Sequence, residues 1–494
     1  MGFQTSGSFP AQIVPSQKKL ALQDNYLDFT GGDNDFAQQY LPELYEQEVE
    51  RYGNRTLGGF LRMVGAEMPM TSDQVVWSEQ NRLHVAYNDC TASGNANAQQ
   101  VKVDNIGTGT GDTQSSVVAI RTGQTILVSD AATGLVTQKL LVVESPLDAG
   151  SALTDTIKVQ GYDQDTWKNG LLDAKVKMFV YGSDFGKGTD AMVGAIQPNF
   201  TQFSNNPVIL KDHFEINGSD TAQIGWVEVA TEDGTSGYLW YLKSESETRL
   251  RFDDYLEMMM VESEKAAYDF KYSGGAANVG DIKVNGSEGL FAAIEDRGNV
   301  YSGFSGAAAP GAGALGDFDA ILQQLDKQGA IEENMLFLNR ATALDFDDMI
   351  GAMAGGGYGS TASASYGLFD NESEMALNFG FSGFRRGSYD FYKTDWKYLN
   401  DATTRGMSKA IDGVMVPAGT TTVYDQMMGV NIRRPFLHVR YRASETEDRR
   451  YKSWITGSVG GAYTSGLDAM SVHFLSERCL VTQAANNFVL FKAA

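Results

Sequence analysis

Cysteine is nearly absent. Cys90 and Cys479 are the only two in 494 residues, and they lie far apart in the chain. They build no CxxC and no disulfide framework, so a reducing compartment and two buried thiols are expected. Histidine is scarce as well: His84, His213, His438 and His473 are the four, none at HxH or HExxH spacing, which argues against a zinc site. Proline numbers ten. No apolar run reaches the ~18 residues of a membrane span, and the opening "MGFQTSGSFPAQIVPSQKKLALQ" lacks the apolar core of a signal peptide. Without secretion, the Asn-x-Ser/Thr sites at Asn54, Asn199, Asn217, Asn285 and Asn371 carry no meaning. Positive charge is also in short supply. Lys and Arg total 39 against 62 Asp and Glu, a net charge of −23. Such a balance repels nucleic acid and anionic membranes and excludes a broad sequence-reading DNA face.

What is present describes a folded, strand-rich chain. Hydrophobic residues make up 42%, ordinary for a globular protein, and the length allows two to four domains with real cores. Glycine is plentiful at 54, so many turns use positive φ. Residues 1–38 read as an extended arm. "YLPELYEQEVERY" (40–52) sets Leu41, Leu44, Tyr45, Val49 and Tyr52 on one helical face. From about 90 to 240, "VVAIR" (117–121), "QTILVS" (124–129), "LVTQKLLVVE" (135–144), "TIKVQ" (156–160) and "KVKMFVYG" (175–182) read as strands. Their close spacing favours antiparallel pairing over βαβ units.

One stretch stands apart. "TRLRFDDYLEMMMVESEKAAYDF" (248–270) has no Gly or Pro and is expected to form a helical rod over about 245–272. Ser244 with Glu247 makes a capping-box pattern, and Phe252, Leu256, Met259, Ala266 and Phe270 make an apolar stripe. Gly274 and Gly275 are expected to end it. Asn285–Gly286 is a hairpin-turn signal. "GAAAPGAGALG" (306–316) reads as a connector, "DFDAILQQLDKQG" (317–329) and "ALDFDDMIGAM" (343–353) as helices, and "NMLFLNR" (334–340) as a strand. Strands dominate again after 378, in "NFGFSGFRRGSYDFYKT", "NIRRPFLHVRYRA", "SVHFLSERCLV" and "NNFVLFK".

The search for chemistry finds no catalytic, cofactor-binding or metal-ligating residues, and no cofactor or enzymatic activity is expected. "GSDFGKGTD" (182–190) is one residue short of a phosphate loop and has Gly188 where a Ser or Thr must bind magnesium. "GGDND" (31–35) is followed by no EF-hand loop. Asp253–Asp254 and Asp347–Asp348 are adjacent on helices and point about 100° apart, which rules out an acid/base dyad. "RRPFLHVRYRASETEDRRYK" (433–452) mixes signs and reads as a solvated or intersubunit face.

"VVWSEQNRLHVAY" (75–87), "LWYLKSESETRLRFDDYLEMMM" (239–260), "FDAILQQLDKQGAIEENMLFLNR" (318–340) and the strand-rich C-terminus resemble, in that order and spacing, major capsid proteins of tailed bacteriophages, the Hong Kong 97-type fold. The flavour is that of the crAss-like phages. Residues 90–225 match only loosely. The resemblance implies an α+β fold with an N-terminal arm (1–56) and an extended loop enlarged by inserted strands (57–225). It implies a peripheral domain (226–300 and 426–494) carrying the rod as a spine helix, and an axial domain (301–425). It further implies self-assembly into pentamers and hexamers of an icosahedral head shell around double-stranded DNA, which is enclosed without sequence-specific binding. Auxiliary or head-fiber proteins, a portal protein and a scaffold would be partners, and membranes would not. The chain would reside in the virion capsid after assembly in the bacterial host cytoplasm. A stiff helix backed by a sheet suits a wide, thin shell subunit.

Other readings remain. An encapsulin-like compartment shares the fold. A glycan-binding surface module could stack sugars on Trp167, Trp226, Trp240 and Trp396. A carboxylate hydrolase with an unrecognised site is a further possibility.

Overall fold

The structure is a computed structural model that describes residues 66–80, 83–94, 98–104, 118–148, 150–190, 192, 200–221, 229–230, 236–237, 240–272, 282–304, 314–329, 331–355, 382–425, 429–459 and 466–493. The arm, the 40–52 helix, nearly all of the 306–316 connector and Gly274–Gly275 lie outside them. The described residues form an α+β mixture, rich in strands with few helices. They divide into two units, Ser78–Gln202 and Met1–Trp77 with Phe203–Ala494.

The Ser78–Gln202 unit is a closed antiparallel barrel. Its strands run in the order Ala86–Ser93, Gln100–Val103, Thr156–Gly161, Thr137–Glu144, Gln124–Asp130, Lys175–Ser183 and back to the first. Alternation builds it. Val176 and Met178 point inward and Lys175, Lys177 and Phe179 outward. The interior is filled by Cys90, Val101, Val103, Ile126, Val128, Leu140, Val142, Ile157 and Val159. Four of the five strands expected here form. "VVAIR" does not, although Val118 and Ile120 are fully buried. Side chains satisfy its backbone instead of a ladder. The Ala119 N–H donates to Tyr87 Oη (2.8 Å), the Arg121 N–H donates to Gln124 Oε1 (2.8 Å), and the Ile120 carbonyl accepts from Ser145 Oγ (2.6 Å).

The other unit contains two large sheets and several two-stranded ones. In the first, the long strand Ala469–Thr482 is central. Val208–Asn217 runs along one edge; Lys452–Gly457 and Leu437–Arg442 share the other, and Glu67–Met70 adds in parallel outside Leu437–Arg442. The second, six-stranded sheet has the order Asn299–Ser302, Val489–Lys492, Ile411–Pro417, Glu333–Leu338, Tyr389–Asp395, Ser382–Arg386. Its central strands are buried on both faces, so residues 336–338, 414–416 and 489–491 read as short apolar runs. Leu336, Leu338, Met415, Val489 and Phe491 face the cluster built by Phe318, Ile321, Leu325 and Phe346 from helices Ala314–Asp326 and Arg340–Gly355. Phe337, Val414, Val416 and Leu490 face a cluster shared with Val208, Leu437, Val439 and Leu480 of the first sheet.

The long helix spans Trp240–Glu262, 23 residues, or about 34 Å at 1.5 Å per residue. It starts earlier and ends sooner than expected. Ser244 lies inside it, so the capping-box position is not where the helix starts. Beyond Glu262 the chain turns, and Lys265–Tyr272 forms a strand paired with Ile282–Gly286. Tyr, Asp and Phe in "KAAYDFKY" are weak helix formers, so the distant partner strand wins. Ala266 is exposed and forms no stripe with Phe252. Asn285–Gly286 makes no two-residue hairpin: Gly286 pairs with Lys265, at φ +67°. A side chain there would strike the Glu264 carbonyl.

Candidate interaction surfaces

The long helix packs by its Phe252–Leu256 side. Phe252 is fully buried, stacks on Phe474 (5.8 Å between centroids) and meets Tyr451 edge-on (5.6 Å). Ile216, Leu256, Met470 and Val472 complete that cluster. Met260 and Val261 continue into the cluster between the two sheets. A second set of contacts is polar. Glu257 accepts from the Trp396 indole N–H (3.1 Å), and Glu262 accepts from Tyr398 Oη (2.6 Å) and pairs with Arg405 (3.1 Å). Burial raises the Asp254 carboxyl above its usual range against the pull of Lys397, and the Asp401 carboxylate adds to the rise. This acidic flank is tied into its own chain.

The 433–452 cluster was expected on a solvated or intersubunit face. Glu445, Glu447, Asp448 and Arg450 are exposed, as that reading expects, whereas Arg440, Arg442 and Arg449 are half-buried on partners from remote segments. Arg442 and Arg449 both grip Glu477 (3.1 and 2.6 Å), and Glu477 is only 6% exposed. Glu67 faces Arg450 and Arg478 (3.6 and 3.8 Å). Arg440 donates to the Pro69 carbonyl, and Arg442 donates to the Thr71 carbonyl and pairs with Asp73. Together these clamp Glu67–Met70 to the sheet. Unpaired, such buried charges would be costly, and their partners are invisible to local sequence reading.

On the barrel, Phe179, Tyr181, Tyr162 and Phe185 are large exposed rings. Tyr162 Oη donates to Asp184 (3.0 Å), and desolvation followed by that carboxylate pushes the phenol up to about 12. The loop of "GSDFGKGTD" leaves the barrel strand at Ser183 and is exposed. Gly188 has φ +79° and open space around it.

Two of the four tryptophans proposed to stack sugars are enclosed. Trp167 donates to the Ser93 carbonyl (2.9 Å), and Trp396 is 1% exposed among Phe291, Phe337 and Tyr398. Trp226 lies outside the described residues, and Trp240 is described only as backbone. Cys90 and Cys479 are both fully buried, as expected, and burial pushes the Cys479 thiol up to about 12. Of the histidines, His84 is exposed and His438 is buried with Nδ1 3.0 Å from the Pro435 carbonyl. His213 and His473 stand opposite one another on neighbouring strands; sequence spacing gave no sign of that pairing. Asp347 binds buried Lys393, which also donates to the Ala343 carbonyl (2.9 Å). Among the described residues, no three His, Cys, Asp or Glu side chains are placed to hold a metal ion, and no helix is long and apolar enough to cross a membrane.

No protein-family model matches the chain, and no curated protein does. Solved structures similar to it include chains from phages. A chain of Microbacterium phage Oxtober96 matches over 93% of this chain and 98% of its own, with 9% identity and a TM-score of 0.36. One from the asymmetric unit of the bacteriophage PhiM1 mature capsid matches over 94% and 95%, with 8% identity and a TM-score of 0.37. A chain of Mycobacterium phage Bobi matches over 64% and 81%, with 8% identity and a TM-score of 0.34.

Proposed function

We propose that this chain is a structural shell protein, the major capsid protein of a tailed bacteriophage of the Hong Kong 97 type, with crAss-like phages as its nearest flavour. One observation carries the reading. All but the first residue of "LWYLKSESETRLRFDDYLEMMM", one of the segments that carry the resemblance, belongs to the Trp240–Glu262 helix, and that helix lies along a sheet assembled from both sides of it in sequence. In this reading the helix is the spine of a peripheral domain (226–300 and 426–494). Residues 301–425 form the axial domain, with Asn299–Ser302 and Val489–Lys492 lending strands to its sheet. The barrel sits in the enlarged extended loop (57–225), and residues 1–56 are the arm.

Head-to-tail contacts that close by rotation give rings. Pentamers and hexamers of this kind would tile an icosahedral head around double-stranded DNA, assembled in the host cytoplasm. Many modest contacts per copy sum to a stable shell. A net charge of −23 keeps packed DNA from adhering to it. The protein would be no enzyme; a portal, a scaffold and auxiliary or head-fiber proteins would be its partners.

Electron microscopy of the purified protein, with and without the products of neighbouring genes, tests this. Rings, tubes or closed shells are expected. Monomers under every condition overturn the proposal.

A further inference from the structure

Away from the long helix, the first sheet presents a row of three rings across three strands. Odd-numbered residues of Val208–Asn217 and Ala469–Thr482 face this side, since Val472 and Phe474 face the helix. His213 lies directly opposite His473, and His473 directly opposite Trp454. The imidazoles stack with centroids 6.1 Å apart and planes inclined by 20°; the indole stacks on His473 at 5.2 Å. Thr456 Oγ1 lies 2.8 Å from His473 Nε2. Among the described strands, Val208–Asn217 is an edge, held by hydrogen bonds on one side only.

We infer that the His213–His473 pair is a proton-sensitive seam which loosens the Val208–Asn217 strand as the medium becomes acid. Neutral rings stack without penalty. Two imidazolium ions 6.1 Å apart repel enough to shift an equilibrium by about threefold at the dielectric of water, and more where solvent is excluded. Thr456 can donate to the bare Nε2 of a neutral ring but can only accept from a charged one, which is protonated at both nitrogens. Burial and the neighbouring His213 hold His473 below the usual histidine range, with Glu215 opposing. The other groups on this face offer little relief. Glu215 accepts from Ser471 Oγ (3.4 Å), Lys211 adds positive charge, Lys452 is paired with Glu447, and Glu477 is held by Arg442 and Arg449. Asp212, on the reverse face, is engaged by Arg251 (3.3 Å). The inference stands whether or not the chain forms shells.

Histidine ring signals followed by NMR from pH 8 to 4.5 test it in the full-length protein and in His213→Asn and His473→Asn. In His213→Asn the His473 imidazole, relieved of its neighbour, is expected to titrate higher than in the native protein. An unmoved His473 midpoint overturns the pairing. Hydrogen exchange then tests the seam. After correction for intrinsic rates, amides of Val208–Asn217 are expected to lose protection at least threefold between pH 7 and pH 5 in the native protein, and not in the double variant. Equal loss in both, or none in the native protein, overturns the switch.

Discussion

One buried histidine gives this protein an acid-sensitive contribution to global stability. His438 is 1% exposed, and burial, with Arg440 and Arg434 nearby, depresses its pKa to about 4 from 6.5. The unfolded chain therefore binds a proton between pH 6.5 and 4 that the folded chain refuses. The stability at stake is complete above about pH 6.5 and is lost as pH falls toward 4, on the order of 3 kcal/mol. Urea denaturation across that range should show the loss, and His438→Gln should flatten the slope. Cys479, with its thiol pushed up to about 12, should resist alkylation until the protein unfolds, as measured by mass spectrometry over a denaturant series.

Among the elements, the contact between the long helix and its sheet concentrates stability in a few side chains. Phe252→Ala removes the ring that joins Phe474 and Tyr451, and should cost about 3–5 kcal/mol in denaturant unfolding. Glu477→Ala, which takes the carboxylate from Arg449 and leaves Arg442 only Asp73 and the Thr71 carbonyl, should cost about 1–3 kcal/mol, whereas Lys102→Ala, on the exposed Lys102–Asp155 pair, should cost under about 1 kcal/mol.

Legibility in sequence followed the same division. Barrel strands such as Lys175–Ser183 announce themselves because alternation is local. So do the Ala314–Asp326 and Arg340–Gly355 helices, whose apolar spacing is their own. The end of the long helix was hidden because Ile282–Gly286 decides it from outside. The inward turn of Arg442 and Arg449 was hidden because Glu477 lies in another strand. The His213–His473 pair was hidden for the same reason: register across a ladder joins residues that no spacing rule connects.

For the molecule as a whole, the two units differ in how they are sewn. The barrel draws every strand from one continuous stretch and has its own packed interior. Excised residues 78–202 should therefore fold alone and unfold in one cooperative transition by circular dichroism. The other unit is stitched from segments on both sides of that insertion, so truncating either flank should abolish it.

The Val489–Lys492 strand sits inside the six-stranded sheet, between Asn299–Ser302 and Ile411–Pro417. During synthesis the ribosome releases those four residues long after their neighbours. The barrel can mature while translation continues, yet this sheet keeps an open slot until residues 489–492 clear the exit tunnel. Chains stalled short of residue 489 would carry a gap between Asn299–Ser302 and Ile411–Pro417, a ready target for chaperones.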